Sequence, residues 1–141
     1  MGAFHGALAV GAHAIETDLR LSRDGVVVLA HDEDLSRCFG IPDKKVRDCD
    51  WAYLSTLKTL REPVQTMPRL SDLLEYIAQP GLEDVWVLLD IKTQDDGAEL
   101  VGRMAEAIKG VAPSASKGWE ERVVLGCWNV SFSCSLLPGD V

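Results

Sequence analysis

The chain has 141 residues, 47% of them hydrophobic, which is enough apolar content for one domain, or part of one, to bury a core. Its 14 basic and 22 acidic residues give a formal net charge of -8, so electrostatic binding to nucleic acid is not expected. The longest apolar run, residues 85–89, is far shorter than the ~20 residues that a membrane helix needs.

The four cysteines indicate a reducing environment. Cys38, Cys49, Cys127 and Cys134 form no CxxC pair, and no secretory signal precedes them. We therefore expect reduced thiols and an intracellular rather than a secreted protein. A substrate at a membrane surface remains compatible with this composition.

Hydrophobic periodicity and turn residues predict alternating helices and strands. In chain order, the predicted elements are a helix over 3–11, strands over 14–21 and 26–32 joined by a turn, a helix over 50–60 with Asp50 as N-cap, a helix from about Ser71 to Pro80, a strand over 85–92, a helix over 95–111 and a strand over 121–128. The strands over 85–92 and 121–128 lack alternation, which predicts burial on both faces. The order as a whole predicts a parallel α/β fold.

Polar residues interrupt the strands of this pattern. Asp90 and Lys92 end one predicted strand, and Glu16, Asp18 and His31 are expected late in theirs, at the edge where α/β proteins place their chemistry. Each residue also has a plainer interpretation, as the solvated face of a strand, a turn residue or an exposed ion pair.

Together, these residues are typical of a metal site. Glu16 and Asp18 share one strand face about 7 Å apart, and a carboxylate from another strand would complete a set of oxygen ligands for a hard divalent cation. His31 and Lys92 would then supply proton transfer and phosphate charge neutralisation. His5 and His13 fall in the first helix and in a linker, and we expect both at the surface.

Five short motifs occur in order. They are the ExD pair of "AIETDLRL", the "RDG" turn, the "HD" pair after "VVVLA", the Pro-x-Leu of "MPRLSDLLEYI" and the acidic-x-Lys end of "VWVLLDIK". Over about residues 3–137, this arrangement resembles the glycerophosphodiester phosphodiesterase family, most closely its fungal branch similar to phosphatidylglycerol phospholipase C.

The resemblance implies a TIM (β/α)8 barrel that hydrolyses a phosphodiester with a divalent cation, Ca2+ or Mg2+. The substrate would be a glycerophosphodiester or a phospholipid. Glu16, Asp18 and Asp90 match the metal ligands, the last where most members carry Glu. Lys92 matches the lysine that faces the phosphate, and His31 matches the general acid.

The sequence also departs from the family pattern, because the HRG strand and the "PENT"-like segment are missing. A TIM barrel needs ~250 residues, so residues 1–141 are expected to form an incomplete domain, roughly the first half of a partial barrel without its first strand. We expect such a chain to be impaired or inactive alone. The alternatives are a non-catalytic interaction domain that retains the fold, or another phosphodiesterase barrel such as a phosphatidylinositol-specific phospholipase C or a sphingomyelinase-D-like enzyme.

Overall fold

The computed structural model describes residues 1–92 and 97–127, which build a four-stranded sheet with helices packed against one face. The strands lie in the order β2-β1-β3-β4. Their bounds are β1 Ala14–Leu21, β2 Val27–Leu29, β3 Trp86–Ile91 and β4 Val123–Cys127.

Five α-helices and two short 3-10 helices are present in the described residues. The α-helices are α1 Gly2–Ala9, α2 Ser36–Phe39, α3 Trp51–Leu54, α4 Leu70–Ile77 and α5 Gly97–Lys109, and the 3-10 helices are Val46–Asp48 and Trp119–Glu121. Within residues 1–92 and 97–127, none of the helices has the length and apolar character needed to cross a membrane.

The sheet is parallel except at β2. β1 pairs in parallel with β3, and β3 with β4, which confirms the predicted parallel α/β core. β2 instead returns antiparallel to β1 through the tight turn after Ser22. The Ser22 hydroxyl donates to Asp24 at 2.6 Å and accepts from the Val26 amide, and Gly25 takes a positive φ of 79° that suits glycine.

One face of the sheet packs against α4 and α5 to form the main core. Apart from Thr17, the alternating residues of β1 and β3 that point this way are apolar and almost fully buried, as are the facing residues of the two helices. They include Ile15, Leu19, Leu21, Val87, Leu89, Ile91, Leu70, Leu73, Leu74, Ile77, Leu100 and Met104. The periodicities of the strands and of the helices therefore place their apolar residues in one buried layer between the sheet and the helices.

Burial on both faces of the two late strands was a wrong prediction. Trp86 in β3 is 40% exposed, Leu88 is half-buried, and Val124 in β4 is 47% exposed. These residues lie on the face opposite to the helices, and β4 forms an edge of the sheet among the described residues. An apolar run without alternation does not by itself show that a second layer covers the strand.

Two predicted elements are less than half their predicted length in the structure. The helix expected over 50–60 is only Trp51–Leu54, because Thr59 accepts and donates hydrogen bonds with Gln65 instead of continuing the helix. The strand expected over 26–32 ends at Leu29, whose amide donates to Pro68.

Asp50 does occupy the N-cap position of α3, but its side chain makes no cap hydrogen bond and pairs with Arg23. Asp24 accepts the hydrogen bond of the Trp51 amide at 2.9 Å instead.

The described cysteines Cys38, Cys49 and Cys127 are free thiols, in line with the prediction. Cys134 and Trp128 lie outside the described residues. His5 is in α1, as predicted, and its ring contacts Tyr76 with centroids 4.2 Å apart.

Candidate metal and phosphate site

Three carboxylates meet on the face of the sheet that lies opposite to the helices. The parallel register places Asp18 of β1 directly beside Asp90 of β3, and Glu16 lies two residues before Asp18 on the same face. One oxygen of each of the three lies within 4.8 Å of the others. Glu16 is exposed, whereas the side chains of Asp18 and Asp90 are each only 12% exposed.

Lys92 places a positive charge between the two aspartates of this group. Its Nζ lies 2.7 Å from Asp18 Oδ1 and 2.6 Å from Asp90 Oδ2, so one ammonium joins both carboxylates. Hydrogen bonds to Asp18 and Asp90 raise the pKa of Lys92 above its usual value. The lysine thus offsets charge repulsion between two largely buried aspartates.

The donor set fits a hard divalent cation. All three candidate ligands are carboxylates, the oxygen donors that Mg2+ and Ca2+ favour. Gly126 of β4 lies beside Asp90 in the register, and a Cβ added there would sit 3.4 Å from Asp90 Oδ1. Glycine therefore keeps the space over this carboxylate open.

His31 reaches the neighbourhood of these carboxylates by a route different from the expected one. It does not end a parallel strand, because β2 runs antiparallel to β1 and ends two residues earlier. The Ala30 amide donates to the Asp18 carbonyl at 3.1 Å, which extends the hairpin by one residue and places His31 just beyond Asp18. The imidazole is 70% exposed.

Asp32 connects His31 to an arginine. Its Oδ1 lies 3.0 Å from His31 Nδ1, and Arg37 donates to both of its oxygens at 2.7 and 2.8 Å. The Arg37 guanidinium, and then the His31 hydrogen bond, lower the pKa of Asp32 from 3.8 to about 2. Asp32 is therefore a carboxylate throughout the neutral range.

A groove of about 260 Å³ begins beside these side chains. Its lining includes the polar residues His31, Asp32 and Arg37 together with apolar residues such as Phe4 and Met67.

The structure brings together four of the five predicted site residues, namely Glu16, Asp18, Asp90 and Lys92. It places His31 two residues after β2, the strand that forms a hairpin with β1. Sequence reasoning did not single out Arg20, which is 5% exposed and donates from Nη2 to the His31 carbonyl at 3.0 Å. The i, i+2 spacing from Asp18 to Arg20 was the available signal. Arg37 carried no local signal, because its pairing with Asp32 depends on how the intervening loop folds.

A family model described as "Glycerophosphoryl diester phosphodiesterase family" matches residues 1–137. The chain is also 39% identical, over 92 residues, to a Mycobacterium tuberculosis protein named "Probable glycerophosphodiester phosphodiesterase 2". That match covers 65% of this chain and 32% of the relative.

Solved structures share the fold. The glycerophosphodiester phosphodiesterase of Thermotoga maritima matches with a TM-score of 0.72 and 27% identity, over 98% of this chain and 51% of that one. A phosphodiesterase of Oleispira antarctica, in complex with the product sn-glycerol-3-phosphate, matches with a TM-score of 0.76 and 23% identity, over 98% and 56%. The chain thus spans about half the length of these structures, which agrees with the predicted partial barrel.

Proposed function

The chain belongs to the glycerophosphoryl diester phosphodiesterase family, and on that premise we propose that it carries the metal- and phosphate-binding part of a phosphodiester hydrolase site. The observation that carries the proposal is the meeting of Glu16, Asp18 and Asp90 within 4.8 Å, with the Lys92 ammonium between the two aspartates. This arrangement combines ligands for a cation with a charge for a phosphate.

Each side chain has a proposed role. Glu16, Asp18 and Asp90 would hold a divalent cation, Mg2+ or Ca2+, which when bound supplies positive charge at a phosphoryl oxygen. Lys92 would turn from the aspartates to bind another phosphate oxygen, since the cation would take over its neutralising role. His31 would hold the proton that the leaving alcohol needs, because an alkoxide is costly to expel.

The proposed substrates are glycerophosphodiesters. The structurally similar Oleispira antarctica enzyme holds sn-glycerol-3-phosphate as its product, which supports a glycerol phosphate unit on the phosphate side of this site. A narrower form of the proposal is phospholipase C-like cleavage of phosphatidylglycerol, in which apolar residues that line the groove with His31, such as Phe4 and Met67, would contact the lipid leaving group.

Product binding tests the proposal without requiring turnover. We expect sn-glycerol 3-phosphate to bind the full chain in the presence of MgCl2 or CaCl2 in calorimetric titrations, and to bind more weakly without metal. Lys92→Met is expected to lose this binding but still bind the metal alone, because it removes only the phosphate partner. Lys58→Met, at an exposed lysine outside the site, is the matched control.

Equal binding of sn-glycerol 3-phosphate by Lys92→Met and by Lys58→Met would contradict the phosphate role of Lys92. Adding glycerophosphoglycerol and phosphatidylglycerol vesicles as competitors would separate the two substrate classes. Competition by the vesicles alone would favour the narrower, lipid-directed proposal.

A further inference from the structure

We propose that Arg37 is a positioning residue that, through Asp32, holds the His31 imidazole with a proton on Nδ1 and presents Nε2 to the substrate. The inference rests on the acid role proposed for His31 and adds the pair of residues that would orient it. It assigns a role to an arginine on a different element, α2.

The first step is the geometry of the Arg37–Asp32 pair. Arg37 Nε donates to Asp32 Oδ2 at 2.7 Å, and Nη2 donates to Oδ1 at 2.8 Å, so the planar guanidinium engages both oxygens. Such a bidentate contact fixes the rotation of the carboxylate as well as its position. Arg37 is itself placed by α2, at whose start the Ser36 amide donates to Asp34 Oδ1 at 2.8 Å.

The second step concerns the proton between Asp32 and His31. Asp32 is ionised at neutral pH and can only accept hydrogen bonds. Its Oδ1 lies 3.0 Å from His31 Nδ1, so Nδ1 is the donor in this contact. The proton that His31 can transfer is then on Nε2. When the imidazolium gives that proton to the leaving oxygen, the neutral ring keeps its Nδ1 proton.

The third step is that the backbone of His31 is already fixed. Arg20 Nη2 donates to its carbonyl at 3.0 Å, and the preceding Ala30 amide donates to Asp18. The imidazole, by contrast, is 70% exposed and depends on Asp32 for its orientation. The bidentate contact with Arg37 in turn fixes the carboxylate on which that orientation depends.

The test is the tautomer of His31, read from the 15N shifts of the ring nitrogens in the labelled full chain at neutral pH. We expect the Nδ1–H form to predominate in the wild type. In Arg37→Gln, we expect the ratio of Nε2–H to Nδ1–H to rise by about twofold to fivefold, the change that one exposed charge pair supports. Arg37→Lys should fall between the two, because lysine keeps the charge but not the bidentate contact.

Arg23→Gln is the matched control, because Arg23 is similarly exposed and also pairs with an aspartate, Asp50. An Nε2–H tautomer in the wild type, or an identical ratio in Arg37→Gln and Arg23→Gln, would overturn the inference. The measurement uses neither metal nor substrate. Absence of sn-glycerol 3-phosphate binding by the wild-type chain would therefore count against the proposed function alone. A tautomer ratio in Arg37→Gln equal to that of the wild type would count against the role of Arg37 alone.

Discussion

At the scale of single residues, charged groups in this protein act in small sets rather than alone. Lys92 bridges Asp18 and Asp90, which raises the pKa of Lys92, and Arg37 engages Asp32, which lowers the pKa of Asp32. The first set suits a cation and a phosphate, and the second suits the orientation of a histidine. Both sets lie beside β1, the strand that carries the ExD pair.

Asp32 gives a pH dependence of stability with a definite sign. Because its pKa is lowered from 3.8 to about 2 in the folded chain, its contribution is present above about pH 4 and is lost as pH falls toward 2. In urea denaturation, we expect the wild type to be more stable than Asp32→Asn at pH 5, and this difference to shrink on acidification. A difference that stays constant between pH 5 and pH 2.5 would contradict the lowered pKa.

At the scale of elements, the positions of helices and strands along the chain were easier to predict than the residues at which they end. The strand over 14–21 was predicted at its observed bounds because alternation is a local property of the sequence. The tight "RDG" turn already indicates that the two strands it joins run antiparallel. The early end of β2 at Leu29 and the short α3 instead depend on contacts with the distant residues Pro68 and Gln65. No local pattern contains that information.

The candidate site also has some features that the sequence predicted and others that it did not. The sequence predicted Glu16, Asp18, Asp90 and Lys92, because residue type and spacing place carboxylates on one strand face and acidic and basic groups at a strand end. It did not predict that Lys92 would bridge the two aspartates, that Gly126 would leave Asp90 open, or that Arg37 would reach Asp32. These features arise from pairing between elements.

Arg122 joins several elements and offers a test at this scale. It is 1% exposed and donates to the carbonyl oxygens of Ile77, Leu82 and Val85 at 2.7 to 2.8 Å, and burial lowers its pKa. Arg122→Ala would leave these acceptors buried without their donor. We expect it to reduce the free energy of unfolding by about 3 kcal/mol.

The measurement is the urea midpoint of Arg122→Ala compared with that of Arg103→Ala, which removes an exposed arginine paired with Glu106. The free energy of unfolding of the control Arg103→Ala is expected to fall by less than about 1 kcal/mol. Equal losses in the two variants would show that Arg122 does not hold the end of α4 and the start of β3 together.

At the scale of the whole molecule, the chain spans about half of the barrels that it resembles, and its described sheet has edges at β2 and β4. The carboxylate face also carries exposed Trp86 and Val124. We propose that the 141-residue chain alone lacks hydrolytic turnover, because a closed, water-excluding site needs walls on this face.

This proposal is tested by incubating the chain with glycerophosphocholine or phosphatidylglycerol and MgCl2 or CaCl2, and by measuring release of glycerol phosphate. No release above background is expected. Clear turnover that disappears in His31→Ala would contradict the proposed inactivity while supporting the role of His31.

Metal binding by the three carboxylates is the central claim, and the thermal midpoint of the full chain with and without MgCl2 or CaCl2 tests it most directly. Binding at about a hundredfold excess over Kd adds about 2.7 kcal/mol, so we expect the midpoint to rise by roughly 5 to 10 °C. The rise should disappear in Asp18→Asn and Asp90→Asn and persist in Asp43→Asn, an exposed control outside the site. An undiminished rise in both site variants, or no rise in the wild type, would contradict the account.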